Sequence, residues 1–229
     1  MNTAIIAAAG KGNRMATDRP KQFLEVLGIP IIFHTLKRFE QCDSIDELVV
    51  VLPAEESAGF LSLAGKYGLR KLARVVPGGN TRTESVKRGF MSIRPATAHI
   101  VAVHDAVRPL VTVEEIEKTI AAADLIGAAI LTNRVTDTIK RVAGNSVVET
   151  IDRDTLRRAV TPQCFRYGLL RRAFDEADAT DVALTDESSL VERLGHPVSF
   201  VEGSPLNIKI TTPHDLLVAE AYLAAEEGL

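Results

Sequence analysis

Cysteine is scarce in this chain, and its scarcity argues against two kinds of site. Only Cys42 and Cys164 occur among 229 residues, with no C-x-x-C pair and no histidine-rich segment beside them. A disulfide framework and a zinc site are therefore unsupported, and we expect two reduced, unreactive thiols. Long hydrophobic runs are missing too, because the apolar stretch 121–132 is broken by Asp124 and is too short to cross a bilayer. We predict a cytoplasmic protein without a membrane segment.

An excess of positive charge is also missing. The chain has 27 Lys and Arg against 30 Asp and Glu, a net charge of −3. Nonspecific binding to nucleic acid requires the opposite balance, so we expect no nucleic-acid partner and only local handling of phosphate. Apolar residues make up 46% and charged residues 25%, which is average for a globular protein and argues against disorder. We predict one domain over 1–229, because this length can bury a full core.

Short apolar runs with strand character alternate with segments of helical periodicity along most of the chain. This alternation predicts an α/β fold, with a Rossmann-like, mostly parallel sheet and helices on both faces. The predicted strands are 4–8, 48–52, 73–76, 100–104, 128–131 and 198–201. The predicted helices are 30–39, 55–67, 82–91, 112–126, 167–177, 187–194 and 213–226.

One segment breaks the alternation. Residues 134–142 and 146–151 have the pattern of two strands around a tight turn at 143–145, which predicts an antiparallel β-hairpin inserted at 134–160. A plain hairpin at the sheet edge is the alternative. A hairpin that leaves the sheet exposes edges and an apolar face, and a second copy of the chain commonly covers them. We therefore predict a dimerisation arm and a homodimer.

The first predicted strand leads directly into a glycine-bearing loop. Gly10 and Gly12 let the backbone approach an oxyanion closely, and Arg14 and Lys21 bring positive charge to the same place. This pattern indicates a nucleotide-phosphate site, with an ordinary strand-to-helix turn as the alternative. A dinucleotide fingerprint is excluded because it requires a small residue where Met15 stands, and the Walker pattern does not occur.

A second distinctive loop, 78–86, has the sequence Gly-Gly-Asn-Thr-Arg-Thr-Glu-Ser-Val and leads from a predicted strand into a predicted helix. In an open parallel sheet, ligands bind at the carboxyl ends of the strands. The amides of this loop and Ser85 are therefore expected to face a ligand at the positive end of the helix. Simple turn chemistry is the alternative.

A third loop begins at the tip of the predicted strand 100–104. Asp105 follows it, and a carboxylate beside a phosphate loop is a suitable ligand for Mg²⁺, which typically takes one or two carboxylates plus substrate phosphates. An ion pair between Asp105 and Arg108 that braces the turn is the alternative. His104 has no partner at metal-ligand spacing, so a packing role is its better interpretation.

Near the C-terminus, Lys209 interrupts an apolar context just before a helix that Thr212 is placed to cap. A positioned charge is one interpretation, and an exposed strand lysine is the other. Thr185 is also suited to cap a helix whose end binds an anion. No Ser/His/Asp constellation or paired acid motif stands out. Cations, amides, hydroxyls and one carboxylate suit phosphoryl or nucleotidyl transfer, in which positioning and charge stabilisation supply most of the catalysis.

Seven motifs, in order and with compatible spacing, resemble those of the 2-C-methyl-D-erythritol 4-phosphate cytidylyltransferase family, over residues 4 to about 223. They are 7–15 with 20–22, 78–86, 104–109, 137–138, 161–163, 185–187 and 207–211. The resemblance implies an enzyme that joins CTP to methylerythritol phosphate and releases diphosphate. Its product would be the cytidine-diphosphate alcohol of non-mevalonate isoprenoid biosynthesis.

The resemblance also implies roles on the nucleotide side. Arg14 and Lys21 would neutralise the triphosphate and the charge that builds up at the α-phosphorus. Asp105 would be the carboxylate linked to Mg²⁺, the implied cofactor. The remaining nucleotide-binding positions would be Ala7, Ala8, Ala9, Gly10, Gly12, Gly79, Asn80 and Ser85.

On the substrate side, the resemblance implies that Lys209 positions the attacking phosphate and contacts the α-phosphate. Thr138 and Arg153 would hold the substrate phosphate in the partner subunit's active site, because the hairpin arm of the family crosses to the other subunit. The other substrate-binding positions would be Asp105, Arg108, Thr161 and Thr185.

Other functions share part of this pattern. Ribitol-5-phosphate cytidylyltransferases usually carry two adjacent glycines where this chain has Ala9-Gly10, which favours the erythritol family. A noncatalytic nucleotide-binding module would leave Lys209 and Arg153 without a reason. A sugar-nucleotide synthase that uses UTP or GTP would share the glycine loop and would not be expected to carry the later motifs.

Overall fold

A seven-stranded mixed sheet forms the centre of the molecule, in the order β11-β7-β10-β6-β1-β4-β5. The computed structural model describes residues 1–10, 20–177 and 186–228. The strands of this sheet are β1 (Thr3–Ala7), β4 (Glu47–Leu52), β5 (Leu72–Pro77), β6 (Ile100–Asp105), β7 (Ala128–Arg134), β10 (Arg157–Arg166) and β11 (Ser199–Glu202). Two further pairs form small separate sheets: β2 (Glu25–Val26) with β3 (Ile29–Pro30), and β8 (Ile139–Ala143) with β9 (Ser146–Ile151).

The sheet is mostly parallel, as the alternating pattern predicts. Strand β1 pairs in parallel with β4 and β6, β4 pairs in parallel with β5, and β7 pairs in parallel with β11. All six predicted strands are present, and their ends differ from the observed ones by a few residues at most. Because β1 and β6 run the same way, their carboxyl ends lie side by side, with Ala7 opposite Asp105.

Strand β10 is the one member of the main sheet that the sequence pattern misses. It lies between β6 and β7 and runs antiparallel to both. A proline cannot donate a hydrogen bond to the ladder, so Pro162 argues against a central strand here. The register against β7 shifts between Ala159 and Gln163, and Pro162 falls inside this irregular stretch. The missing donor therefore lies where the ladder is already interrupted.

Helices cover both faces of the sheet, as predicted. They are α1 (Ile31–Gln41), α2 (Ser57–Lys66), α3 (Arg82–Met91), α4 (Val113–Ile126), α5 (Tyr167–Ala177), α6 (Ser188–Arg193) and α7 (Pro213–Glu227). The helices α1, α2 and α4 pack on one face, while α3, α5 and α6 pack on the other. A third cluster joins α7 to β2 and to the segment after β6.

Successive side chains along each strand point to opposite faces of the sheet, so each strand contributes to the core on both faces. In β1, Ala4 and Ile6 belong to one hydrophobic cluster and Ile5 to the other. All three are completely buried. Burying an isoleucine side chain such as that of Ile5 or Ile6 is worth about 1.5–3 kcal/mol, so a strand that is apolar throughout is stabilised from both sides. This explains why the buried strands appear in the sequence as continuous apolar runs.

Two predicted helix starts are confirmed by complete capping boxes. Thr112 accepts a hydrogen bond from the Glu115 amide, and the Glu115 side chain accepts one from the Thr112 amide. Thr212 and Asp215 make the same reciprocal pair at the start of α7, with Pro213 as the first helical residue. Such caps satisfy backbone donors that would otherwise lack partners.

The predicted hairpin is present as the separate antiparallel pair β8 and β9, with Gly144 in its turn at φ +56°. It is shorter than the predicted arm 134–160, because β7 continues to Arg134 and residues from Arg157 onward already belong to the main sheet. Val142, Val147 and Val148 are exposed on the hairpin. An apolar surface of this kind is compatible with cover by a second chain, which stays a prediction.

Cys42 and Cys164 are both buried and free, and burial raises the pKa of each thiol. A buried thiol with a raised pKa is largely protonated at neutral pH and therefore a poor nucleophile, in agreement with the expected unreactive role. Within residues 1–10, 20–177 and 186–228, every helix is too short or too polar to span a bilayer.

Candidate active site

A cavity of about 600 Å³ opens at the edge of the sheet where β1 and β6 end and the loop after β5 begins. This is the edge at which open α/β sheets bind ligands. Three segments distant in sequence meet there, together with the chain after β11. The described residues that line the cavity are Ala7, Ala8, Ala9, Gly10, Lys21, Gln22, Gly79, Asn80, Thr81, Arg82, Ser85, Asp105, Ala106, Val107, Lys209 and Thr211.

The glycine turn after β5 lies directly against the start of the first loop. A Cβ atom on Gly78 would stand 2.2 Å from the Cβ atom of Ala9, so only glycine fits at this position. The Gly79 amide donates to Oγ of Ser85 at 3.0 Å, and that hydroxyl donates to the Thr81 carbonyl at 2.8 Å. The turn is thus held in a fixed shape beside β1, with the start of α3 behind it.

Two side chains join the segment after the first loop to the rest of the cavity. The Gln22 amide donates to the Ala8 carbonyl at 2.6 Å, and Nζ of Lys21 donates to the Ile210 carbonyl at 2.9 Å. Ile210 in turn donates its amide to the Val107 carbonyl at 2.9 Å. These contacts hold the ammonium group of Lys21 at the wall of the cavity, on the side of Lys209.

A second cavity of about 290 Å³ adjoins the first. Arg82, Asp105 and Lys209 line both, so two ligands placed in them would meet at these three charged side chains. The other described residues of the second cavity are Arg108, Ala159, Val160, Thr161, Gln163 and Asp186.

The carboxylate of Asp105 is the centre of a charged cluster. Its Oδ1 accepts from Nε of Arg82 at 3.0 Å. Its Oδ2 lies 2.9 Å from Nζ of Lys209 and 3.4 Å from Nε of Arg108. Burial alone would raise the pKa of this carboxyl group, but the three cations outweigh it and hold the pKa well below its usual range. The pair with Arg108, which was the alternative interpretation of Asp105, therefore exists and is the longest of the three contacts.

His104 has a packing and hydrogen-bonding role beneath this cluster. The Asp105 amide donates to Oγ1 of Thr161 at 3.1 Å, so the Thr161 hydroxyl can donate to Nδ1 of His104, 3.0 Å away. Nε2 of the imidazole is left to donate to the Arg108 carbonyl at 3.2 Å. The ring also packs on Phe39. Burial lowers the pKa of His104 to about 3, so the imidazole is neutral in the folded protein.

This buried neutral imidazole predicts a loss of stability in mild acid. The unfolded chain takes up a proton at His104 near its ordinary pKa of 6.5, while the folded chain does so only near 3. The free energy of unfolding therefore has its full value above about pH 6.5 and decreases as the pH falls toward 3. At about pH 5 the decrease is about 2 kcal/mol. Urea unfolding at about pH 7.5 and about pH 5 measures the change in the parent and in His104→Gln.

The glutamine variant is expected to be less stable than the parent at about pH 7.5, because it loses the ring contacts. Its stability should nevertheless fall less between the two pH values, by about the 2 kcal/mol assigned to the imidazole. An equal fall in parent and variant would show that His104 does not titrate in this way.

Arg82 and Glu187 are site residues that the sequence pattern does not single out. Nη1 of Arg82 lies 2.8 Å from both carboxylate oxygens of Glu187, whose side chain is completely buried. Both residues occur inside recognised motifs, 78–86 and 185–187, but those motifs draw attention to their glycines, amides and hydroxyls. The positive charge of Arg82 within a predicted phosphate-binding loop was the feature from which its role could have been predicted.

Most of the predicted site residues that the structure describes come together. Those that line the first cavity are Ala7, Ala8, Ala9, Gly10, Lys21, Gly79, Asn80, Ser85, Asp105 and Lys209. Those that line the second are Asp105, Arg108, Thr161 and Lys209. Thr138 and Arg153 line neither cavity and are exposed near the hairpin, where Arg153 donates to the Thr136 carbonyl at 2.6 Å. Gly12, Arg14 and Thr185 lie outside the described residues.

Charge, shape and position together limit the chemistry of the site. Lys21, Arg82, Arg108 and Lys209 supply positive charge, and backbone amides follow the ends of β1 and β5. Across the described part of the chain, no three His, Cys, Asp or Glu side chains are grouped to hold a metal by themselves. Two joined, positively charged cavities at the carboxyl edge of a Rossmann-like sheet suit transfer between phosphates, and the class of protein that this arrangement indicates is a nucleotidyltransferase.

Comparisons with known proteins identify the family within that class. The family model described as IspD, 2-C-methyl-D-erythritol 4-phosphate cytidylyltransferase, matches residues 2–225. A protein of Pelotomaculum thermopropionicum with this enzyme name is 43% identical over 98% of this chain and 95% of its own. One of Acidobacterium capsulatum is 44% identical over 96% of this chain and 95% of its own.

Solved structures agree with this result. The 4-diphosphocytidyl-2C-methyl-D-erythritol synthase of Anaerococcus prevotii superposes with a TM-score of 0.87 at 32% identity, over 97% of this chain and 96% of that one. The cytidylyltransferase of Francisella tularensis gives a TM-score of 0.80 at 34% identity, over 96% and 98%. The chain belongs to the 2-C-methyl-D-erythritol 4-phosphate cytidylyltransferase family.

Proposed function

We propose that this enzyme joins CTP to 2-C-methyl-D-erythritol 4-phosphate and forms 4-diphosphocytidyl-2-C-methyl-D-erythritol and diphosphate. Membership of the family supports the reaction. The observation that carries it is the pair of adjoining cavities that share Arg82, Asp105 and Lys209. The larger cavity suits the nucleotide, and the smaller suits the phosphorylated polyol. Their junction is then the place where the two phosphates react.

The reaction requires little acid–base chemistry from the protein. A phosphate oxygen of the polyol substrate, already ionised at neutral pH, attacks the α-phosphorus of CTP. A new phosphorus–oxygen bond forms, the bond from the α-phosphorus to its bridging oxygen breaks, and diphosphate leaves with that electron pair. The barrier comes largely from bringing two anions together. Fixed cations and a fixed orientation lower it, as in other phosphoryl transfers.

Nucleotide recognition falls to the backbone of the two loops. The chain from Ala7 to Gly10 and the turn at Gly79 and Asn80 offer peptide groups at the wall of the larger cavity, with Ser85 behind the turn. Lys21 on the same wall is assigned to the triphosphate. Gly12 and Arg14 are assigned to the same anion by the resemblance of the opening motif.

Polyol recognition falls to the side chains of the smaller cavity. Arg108 and Thr161 line it together with Lys209, which reaches the junction with the larger cavity. We therefore assign Lys209 to contacts with both reacting phosphates. The resemblance adds Thr185 to this group.

Mg²⁺ is the cofactor that this chemistry implies, and Asp105 is the residue that would hold it. A single carboxylate suits Mg²⁺, which commonly takes one or two carboxylates and completes its shell with phosphate oxygens and water. The ion would share the Asp105 carboxylate with Arg82, Arg108 and Lys209. When bound, the ion would neutralise phosphate charge during the transfer. The cations around Asp105 keep that carboxylate ionised, which a metal ligand requires.

A homodimer joined through the hairpin arm is proposed for the complete site. The exposed valines of the arm offer an apolar surface for a second chain. Thr138 and Arg153 flank the two hairpin strands and lie outside both cavities of their own chain, which supports a role in the partner's site. Each active site would then need both subunits.

Turnover tests the reaction directly. The protein is incubated with CTP, Mg²⁺ and either methylerythritol phosphate or ribitol phosphate, and diphosphate release is measured. Release with methylerythritol phosphate is expected, and sedimentation of the same preparation should give a dimer. Release with ribitol phosphate alone would assign the sister activity. Binding of CTP without release in either reaction would indicate a noncatalytic nucleotide-binding module.

A further inference from the structure

Glu187 is a completely buried carboxylate at the edge of an anion-binding site, which is an unfavourable place for a negative charge. Burying an ion costs several kcal/mol unless it is well paired, and a carboxylate here also repels an incoming phosphate. Its pairing is specific, because both carboxylate oxygens lie 2.8 Å from the same atom, Nη1 of Arg82. Any effect of the Glu187 carboxylate on the reacting groups must therefore pass through Arg82.

Arg82 transmits this contact to the reacting centre. It begins α3, lines both cavities, and donates from Nε to Oδ1 of Asp105 at 3.0 Å while Nη1 is held by Glu187. Because the guanidinium group is planar and rigid, fixing Nη1 also fixes the direction of Nε. Oδ1 of Asp105 is thereby occupied, and Oδ2 is left toward Lys209 at 2.9 Å.

We propose that Glu187 is a positioning residue for the nucleotidyl transfer, which orients the Asp105 carboxylate toward Lys209 by holding Arg82 at the junction of the two cavities. This inference rests on the proposed function and deepens it. Three cations and two carboxylates make up the connected cluster, with one net positive charge. Without Glu187, Arg82 can turn toward the bound phosphates, and Asp105 loses the contact that sets its orientation.

Neighbouring contacts keep Glu187 in place from the other side. Asp186 accepts from the Gln163 side-chain amide at 2.8 Å and from the Ser189 backbone amide at 3.1 Å. Gln163 also accepts from the Ser188 backbone amide at 3.1 Å. The start of α6 is therefore attached to β10, and Glu187 projects from a fixed base. A carboxylate fixed at its base and paired at its tip has the geometry of a positioning group.

The substitution Glu187→Gln tests the proposal, because it keeps the size of the side chain and removes its charge. We expect kcat to fall at least about tenfold. The dissociation constant for CTP, measured by calorimetry, should stay the same or decrease, because the cluster gains one net positive charge. A merely structural role would instead weaken CTP binding together with turnover. The matched control is Glu192→Gln, an exposed glutamate on α6, the helix that follows Glu187, and it should change neither quantity.

Arg82→Gln and the double variant, with both Arg82→Gln and Glu187→Gln, complete a mutant cycle. Arg82→Gln should lower kcat and weaken CTP binding, opposite in sign to the binding effect of Glu187→Gln. If Glu187 acts through Arg82, the double variant has the same kcat as Arg82→Gln within about threefold. The double variant also removes both members of the buried pair, so no unpaired charge is left to prevent folding.

Two results would overturn the proposal. One is a kcat of Glu187→Gln within about threefold of the parent. The other is a double variant clearly slower than Arg82→Gln, which would show that Glu187 acts by another route. An error in the proposed function can be distinguished from an error in the role of Glu187. In the first case the parent itself would release no diphosphate from CTP and methylerythritol phosphate.

Discussion

Replacing Lys209 with alanine is expected to lower kcat by roughly 100- to 1000-fold, the typical loss when one fixed donor to a developing charge is removed. Lys209 lines both cavities, and its Nζ lies 2.9 Å from Oδ2 of Asp105. Because this ammonium group can reach both reacting phosphates, its loss should also raise KM for both substrates. Steady-state kinetics with CTP and methylerythritol phosphate varied in turn would measure the three constants.

Folding should change much less than turnover in this variant. The Lys209 side chain is 35% exposed, and Asp105 keeps two arginines after the substitution. Water therefore screens the Lys209 end of the pair, and the buried Asp105 carboxylate remains neutralised by Arg82 and Arg108. Lys118→Ala is the matched control, an exposed lysine on α4 that pairs with Glu114 one turn away. Near-normal turnover of the Lys209 variant would remove this residue from the mechanism.

Replacing Lys21 with alanine is expected to lower kcat by roughly 100-fold, equivalent to about 2.7 kcal/mol of transition-state stabilisation. Its Nζ is held by the Ile210 carbonyl at 2.9 Å on the wall of the larger cavity. Lys21 does not line the smaller cavity. The effect on binding should therefore fall on CTP, while KM for methylerythritol phosphate stays within about threefold of the parent.

The difference between the KM effects of the two lysine variants tests the assignment of the cavities more sharply than either variant alone. Lys209→Ala should affect the KM values of both substrates, whereas Lys21→Ala should affect only that of CTP, because one residue lines two cavities and the other lines one. An equal rise in both KM values for the Lys21 variant would contradict the assignment of the larger cavity to the nucleotide. Lys118→Ala serves as control here as well.

Local structure was largely predictable from the sequence. The helices α3 and α5 begin and end at the predicted residues, and the capping boxes at Thr112 and Thr212 are complete. Periodicity, caps and turn glycines act over a few residues, so a short window contains the information. The hairpin around Gly144 was predictable for the same reason.

Strand β10 shows where local patterns are insufficient. Pro162 argues against a central strand, yet the irregular register between Ala159 and Gln163 accommodates it. This strand brings Thr161 to the amide of Asp105 and Gln163 to the start of α6. Part of the smaller cavity therefore depends on an element that the sequence pattern does not reveal.

The type of fold, the glycine loops at strand ends, and the set of cations and the carboxylate that suit transfer between phosphates could all be predicted from the sequence. How these charges pair depends on the folded structure. Asp105 meets Arg82, Arg108 and Lys209, and Arg82 meets the buried Glu187. These partners come from separate segments, and strand order and register set their distances. Ion pairs between distant segments follow from that nonlocal geometry, which no short stretch of sequence contains.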